Sequence, residues 1–360
     1  MRENDFVSGS YSGPLMNGKV TYKSPSNIAL VKYWGKKENQ VPANPSVSFT
    51  LDSCATTTSL TYSKLDEPGK DFSFELLFEG KPKPDFKPKI QTFFSRISAY
   101  LPFLKSYHFV IETSNSFPHS SGIASSASGM SALALCLMHI EKQLFPEIEV
   151  DYFNAKASFL ARLGSGSAAR SIKGPLMQWG HHQDTEGSSD LYAITYPYKL
   201  HEVFNDFQDT ILLVDKGQKQ VSSTVGHNLM HGHPFAEQRF KQADDNLSKL
   251  RKIFIEGDLV NFIKIVESEA LTLHAMMMSS LPYFMLMKPN TLQIINKIWE
   301  FRAKSKSHLC FTLDAGANVH VLYPKSDKEL VLQFIKDELV AYCENGQYLC
   351  DQIGNGAVEI

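Results

Sequence analysis

Four stretches of the sequence hold residue types whose spacing suits chemistry. The first, 115–129, reads NSFPHSSGIASSASG; six of its fifteen residues are serine and two are glycine. Gly122 can take positive φ and bring the backbone close to a ligand, and the serine hydroxyls, Ser125, Ser126 and Ser128 among them, can donate to oxyanions. An apolar, helix-favouring run, MSALALCLMHI at 130–140, follows directly. A Gly/Ser loop opening a helix offers free N–H groups and the positive end of the helix dipole to an anion, with phosphate the natural guest. The alternative is a small-residue loop that only lets a helix pack closely. The spacing fits neither G-x-x-x-x-G-K-[ST] nor G-x-G-x-x-G, which disfavours the P-loop and Rossmann readings.

The second stretch is the mostly apolar run 28–34, which carries one lysine, Lys32; Lys36 and Lys37 follow just past Gly35. Such a lysine is either a snorkelling surface residue with its stem on apolar surface or one aimed into a site. The clustering of cations favours an anionic ligand. The third stretch, GSGSAARSIKGPLMQWG at 164–180, places Ser165, Ser167 and Arg170 on one short turn-helix. Two hydroxyls and a guanidinium suit a carboxylate or phosphate, because arginine binds either in a bidentate fork; a surface ion pair is the plainer reading. The fourth is DAGAN at 314–318, a tight turn between two apolar strands. Its Asp314 is either turn chemistry or a positioned catalytic carboxylate. The histidines His227, His231 and His233 invite a metal reading. No cysteine or second ligand pair stands at motif spacing, and Pro234 follows at once.

These groups must be positioned by alternating strands and helices. Val20 and Tyr22 alternate as in a strand, and 44–62 is rich in β-branched residues and predicts two antiparallel strands. A strand at 72–78, a proline- and lysine-rich connector at 81–89, an amphipathic helix from Ile90 to Leu101 and a strand at 107–112 lead into the serine loop. Asp151 is expected to cap a helix through Leu163, with Gly164 at its C′ position. In the second half, strands are expected at 210–214, 309–313 and 319–323. Helices are expected near 234–256, 258–278 and 327–341, with another capped by Asn290 and running to Ala303. YLCDQI near the end reads as a strand. Residues 1–18 are polar and read as a loose or lightly docked arm.

The chain has 360 residues, 43% hydrophobic and 21% charged, with a formal net charge of −2. That describes a soluble globular protein with a full core and no global field towards nucleic acid or anionic membrane. Five cysteines form no C-x-x-C pair, which suits a reducing compartment. The N-terminus lacks an apolar signal core, and no apolar run reaches the ~20 residues that span a bilayer. The cytoplasm is the expected location.

Taken in order, these motifs carry a resemblance. NIALVKYWGK (27–36), ANPSVSFTL (43–51), the serine loop, GSGSAARS (164–171), VSSTVG (221–226), the HA and LP of 274–282, LDAGAN (313–318) and QIGNGA (352–357) resemble the diphosphomevalonate decarboxylases of the GHMP kinase superfamily. The resemblance spans nearly the whole chain. It implies an α+β fold of two lobes: a ribosomal-S5-domain-2-like N-terminal lobe over 19–207 and a ferredoxin-like C-terminal lobe over 208–360, with the site in the cleft between them. It also implies ATP-dependent decarboxylation of 5-diphosphomevalonate to isopentenyl diphosphate, with ATP as co-substrate and Mg²⁺ as its metal, and a homodimer.

Residue by residue, the resemblance places Asp314 as the catalytic aspartate, Lys32 beside it, and Arg170 on the substrate carboxylate. Tyr33, Lys36, Ser165, Gly166 and Ser167 would hold the substrate diphosphate. Asn115, Pro118, Gly122, Ser125, Ser126 and Ser128 would hold ATP, with Ser126 towards Mg²⁺. The chain departs from the family pattern at Pro118-His119-Ser120-Ser121, at Ala317 in DAGAN, at the lone Pro282 and at Gly174-Pro175 before Trp179; none of these removes an assigned chemical group. Decarboxylases of the monophosphate, kinases that phosphorylate mevalonate, and a nucleotide-binding relative without chemistry are the alternatives. The resemblance implies that the kinase-only relatives lack the lysine–aspartate pair that Lys32 and Asp314 supply here.

Overall fold

A computed structural model describes residues 1–9, 11, 16–118, 123–216 and 223–360. The architecture is α+β, built on two antiparallel-rich sheets. The first sheet is laid down by β1 (Gly18–Val31), β2 (Ser46–Lys64), β3 (Ser73–Phe78) and β4 (Lys81–Pro82). After helix α1 (Lys87–Ile97), β5 (Tyr107–Asn115) enters it. Helices α2 (Ser125–Leu144) and α3 (Val150–Gly164) then cross the sheet, and the short β6 (Leu176–Trp179) and β7 (Ile194–Thr195) extend it. The second sheet takes β8 (Gln208–Leu212). After α4 (Ser223–Asn228), α5 (Ala236–Glu256), α6 (Leu259–Met278) and α7 (Pro289–Ser305), it gains β9 (Cys310–Thr312) and β10 (Val319–Tyr323). Helix α8 (Lys328–Phe334) precedes β11 (Tyr348–Gln352), and β12 (Val358–Glu359) returns to the first sheet. The strand orders are β12-β1-β2-β5-β3-β4, with β6 and β7 alongside, and β11-β8-β10-β9.

The two strands expected over 44–62 are one strand of 19 residues. Its first part pairs with β6 and its second with β5, so β2 serves two segments of one sheet. The break in alternation near 51–54 is a bend and not a turn. The buried carboxylate of Asp351, on β11, accepts from the backbone N–H groups of Asp52, Ser53 and Cys54 there. Partner strand β1 shifts register at the same level, between Pro25 and Asn27, where proline has no N–H to give the ladder.

Helix α2 is apolar on most sides because it lies between the sheet and α3, in a core with Leu60, Phe94, Phe109, Leu133, Phe159 and Leu160. The arm at 1–18 is docked where it is described. Phe6 is fully buried and stacks on Phe159 at 4.5 Å. Ser8 joins Lys156 Nζ (2.8 Å), which also donates to Tyr100 O (3.0 Å) and to the Glu141 carboxylate (2.6 Å). A buried aromatic and a buried ion pair fix a segment whose composition reads as polar.

In the second sheet Val319, Val321, Tyr323 and Phe311 face α7 and α8. The opposite face, with Ile211, Cys310 and Leu322, shares one core with Ile28, Leu30, Val47 and Phe49 of the first sheet and Phe262 and Val266 of α6. The two sheets are therefore joined by a common apolar core that runs up to the end of β1. Three expected caps differ. Glu149 precedes α3, and Asp151 lies in its first turn without capping; Gly164 is its last helical residue, followed by Ser165. Lys288 precedes α7, with Pro289 as its first residue, and Asn290 instead donates to Tyr342 O. Among the described residues no helix is long and apolar enough to cross a membrane.

Candidate active site

Lys32 stands one residue past the end of β1, where the ladder to β2 has stopped. Its side chain is 2% exposed, and Nζ lies 3.0 Å from Asp314 Oδ1 on the turn after β9. The pair therefore bridges the two sheets. Burial pulls the Lys32 pKa down, while Asp314 and then Glu269 oppose that shift. The snorkelling reading of Lys32 is excluded by its burial. The main chain of Lys32 is also held: its N–H donates to Glu269 Oε2 of α6 (2.9 Å). Its carbonyl accepts from Asn44 Nδ2 (3.0 Å) and from Arg239 Nη2 of α5 (3.2 Å). Behind Asp314, His274 of α6 donates Nε2–H to the Asp314 carbonyl at 3.2 Å. Burial lowers the His274 pKa to about 4, so the ring is neutral.

Arg170 lies in a short 3₁₀ turn, 166–171, and is 2% exposed, which rules out a surface ion pair. Nε donates to Ser48 Oγ (3.0 Å), Nη1 to Ser46 Oγ (2.5 Å) and Nη2 to Asn27 Oδ1 (3.3 Å). These partners orient the guanidinium and leave its charge unneutralised. Burial lowers its pKa, and the charge of Asp314 opposes that shift. Sequence reasoning did not single out Ser46, Ser48 and Asn27. The signal available was two serines at i and i+2, hence on one face of β2.

The Tyr33 hydroxyl is buried and finds no hydrogen-bond partner among the described residues. Its ring lies 4.7 Å from Trp179 and 4.3 Å from His227. Gly166 abuts that hydroxyl so closely that a Cβ there would sit 2.7 Å from it. Lys36 is half-buried; burial and then Arg96 lower its pKa. His227, considered above only for a metal, instead accepts the Gly35 N–H on Nδ1 (3.0 Å). Burial, then Lys36 and Arg170, pull its pKa to about 3. It is thus a neutral ring beside the cations. Among the described residues no three His, Cys, Asp or Glu side chains form a metal cluster.

At the start of α2, Ser125 is half-buried and Ser126 exposed; Ser126 Oγ lies 3.4 Å from Ser165 Oγ, so the first and third sequence stretches meet there. A cavity of about 220 Å³ opens beside them. It is walled by Leu76, Phe78, Ile90 and Met130 and edged by Asn115, Ser125 and Ser126. The Asn115 side-chain amide nitrogen is buried there and finds no partner among the described residues, an N–H donor at the edge of an apolar slot. Ser128 departs from its expected place. It is fully buried, and its hydroxyl bonds Thr56 Oγ1 (2.6 Å) and Ser125 O (3.3 Å), so it braces the helix against β2. Pro118 follows β5 at the loop's start; Gly122 lies outside the described residues.

Comparison with known proteins follows the same division. Residues 24–193 match the diphosphomevalonate decarboxylase-like N-terminal domain, and residues 210–357 match the mevalonate 5-diphosphate decarboxylase C-terminal domain. The diphosphomevalonate decarboxylase mvd1 of Aspergillus fumigatus is 28% identical over 337 residues, spanning 88% of this chain and 80% of that one. A mevalonate diphosphate decarboxylase structure from Legionella pneumophila is 30% identical with a TM-score of 0.76, covering 92% of this chain and 100% of its own. The structure of MDDEF in complex with MVAPP, AMPPCP and magnesium is 27% identical with a TM-score of 0.81, covering 96% and 99% of the two chains.

Proposed function

Because this chain belongs to the diphosphomevalonate decarboxylase family, we propose that it uses ATP to convert 5-diphosphomevalonate to isopentenyl diphosphate, releasing ADP, phosphate and CO2. The observation that carries this reading is the buried contact of Lys32 Nζ with Asp314 Oδ1 at 3.0 Å, made across the two sheets beside Arg170.

Asp314 orients the tertiary hydroxyl of the substrate and takes its proton as the oxygen attacks the γ-phosphate of ATP. Lys32 holds that carboxylate and stabilises negative charge as the phosphoryl group moves. Once the tertiary oxygen is phosphorylated, phosphate leaves, and the electrons of the bond between the carboxyl carbon and C2 form the new double bond as CO2 departs. Arg170, held by neutral partners only, grips the carboxylate and keeps it aligned for that loss. Tyr33, Lys36, Ser165, Gly166 and Ser167 hold the diphosphate, with the Tyr33 hydroxyl as a ready donor.

The apolar slot and the Asn115 amide suit an adenine, and the start of α2 suits the phosphates. Magnesium bound with the nucleotide would neutralise phosphate charge. The hydroxyl of Ser126 would hold it together with phosphate oxygens, the usual mixed ligation of this ion. Residues 19–207 serve as the ATP-binding domain and 208–360 as the second domain, with 1–18 as an arm. The same reading carries a homodimer, to be checked by sedimentation, and a cytoplasmic location, to be checked by fractionation.

The test is an ADP- and CO2-release assay with ATP and Mg²⁺ on 5-diphosphomevalonate, 5-phosphomevalonate and mevalonate in parallel. CO2 from the diphosphate is the expected result. CO2 mainly from the monophosphate moves the substrate assignment, and ADP without CO2 makes the protein a kinase. Asp314→Asn is expected to abolish turnover and spare ATP binding; surviving turnover removes Asp314 from the mechanism.

A further inference from the structure

The backbone of Lys32 poses a question of hydrogen-bond accounting. It lies just beyond the last β1–β2 pair, Val31↔Val47, so neither its N–H nor its C=O has a ladder partner, and a buried main-chain group needs one. Asn44 supplies one partner of the carbonyl, and the others come from the other sheet's helices. Glu269 of α6 and Arg239 of α5 form a fully buried ion pair, with Arg239 Nη1 on Oε1 at 3.0 Å and Nη2 on Oε2. Asn246 Nδ2 also donates to Oε1 at 2.7 Å. The same pair then engages the Lys32 peptide from both sides: Oε2 accepts its N–H, and Nη2 donates to its carbonyl. Five residues along α6, His274 holds the carbonyl of Asp314. One helix thus carries the anchors of both members of the lysine–aspartate pair.

The geometry points to Arg239 and Glu269 as positioning residues for the reaction: through the Lys32 peptide, their buried pair sets where Lys32 Nζ stands relative to Asp314. This rests on the decarboxylase reading. The pair's polar side chains sit in a core otherwise built of Phe262, Val266, Ala243 and Leu247. Pure stability does not require an ion pair there, because well-packed apolar residues of similar volume serve a core as well or better. A lysine placed by an unpaired strand end does require fixed partners for its main chain.

That contrast supplies the test. In the full-length enzyme the double variant Arg239→Met/Glu269→Leu removes both charges together and keeps the volume, so it is expected to fold, with a melting temperature lowered only by the orphaned Lys32 N–H and Asn246 amide. Its kcat for CO2 release should fall about 100-fold, the scale of a misplacement of about 1 Å. KM for ATP and for the diphosphate substrate should stay within about threefold, because an interaction used in the transition state has been lost and ground-state binding has not. Arg239→Lys retains the ion pair and the volume but loses the second nitrogen that reaches the Lys32 carbonyl. It should fold normally and lose about tenfold in kcat. A folded double variant or Arg239→Lys variant with wild-type kcat overturns the proposal, as does a rise in KM without a fall in kcat. Wild-type enzyme without CO2 release in the same assay would instead overturn the decarboxylase reading, so the two failures are distinguishable.

Discussion

Two buried histidines make the fold acid-sensitive in a window that can be worked out. His227 is held as a neutral acceptor by the Gly35 N–H, and His274 as a neutral donor to the Asp314 carbonyl. Burial lowers their pKa values from 6.5 to about 3 and about 4. Protonating His227 would also place an N–H on Nδ1 against the N–H of Gly35. The sign follows from linkage. Below pH 6.5 the unfolded chain takes up protons that the folded chain refuses, so stability is intact above 6.5 and falls as pH drops towards the folded values. Between pH 7 and pH 5 each histidine costs about 2 kcal/mol, and the two together cost about 4 kcal/mol. That is a large share of the roughly 5–15 kcal/mol that holds a protein folded. Urea unfolding at both pH values measures it. His227→Asn keeps an acceptor for Gly35, and His274→Gln keeps a donor for Asp314. The double variant should therefore lose about 4 kcal/mol less than the wild type over this interval. Equal losses in the two proteins would refute the assignment of these rings as neutral and buried.

Gly166→Ala would place a methyl 2.7 Å from the Tyr33 hydroxyl and 2.9 Å from the buried indole of Trp179, so Tyr33 must shift. KM for the diphosphate substrate should rise about tenfold with ATP binding unchanged, as steady-state kinetics will read; an unchanged KM would take Tyr33 out of the substrate site. Lys156→Met leaves Glu141 as an uncompensated buried charge and should cost about 3–5 kcal/mol in urea unfolding. Adding Glu141→Leu should recover most of that loss; no recovery would show that the arm at Ser8, and not the ion pair, holds this corner.

The groups legible in the sequence were those out of keeping with their surroundings. Lys32 interrupts an apolar run, Arg170 follows a hydroxyl-rich turn, and Asp314 sits alone between apolar strands; the structure pairs Lys32 with Asp314 across 282 residues and brings the charge of Arg170 to bear on both. What escaped was the support behind them. Arg239, Ala243, Asn246 and Leu250 recur at helical spacing on the buried side of α5, as do Phe262, Val266, Glu269 and Leu273 on α6. A charge on each of two apolar stripes was the readable sign of a buried pair, but periodicity cannot say that the two stripes face one another or share a backbone as their ligand. The bend in β2 was misread for a similar reason. A loss of alternation looks the same whether the chain turns or is held bent by a distant carboxylate, here that of Asp351 nearly 300 residues away. Which residue docks the arm was hidden, because a single buried phenylalanine leaves no pattern.

The electrostatics of the cleft argue that its preorganisation and its hunger for anions have one origin. Lys32 and Arg170 are both buried, and Asp314 is the carboxylate that acts on each. Desolvation lowers the pKa of each cation, so each carries charge in a setting that disfavours it, and an incoming carboxylate or phosphate relieves the strain on both. Such a site cannot rely on the Lys32–Asp314 ion pair alone to stay in place, because both groups are also needed by the ligand. It must be fixed by neutral contacts and by the backbone. Arg170 is accordingly held by two serines and an asparagine, and Lys32 by its peptide as well as by the contact of its head group with Asp314. The strong ion pair, Arg239 with Glu269, lies on the far side of that peptide, where it can hold the lysine in position without neutralising it.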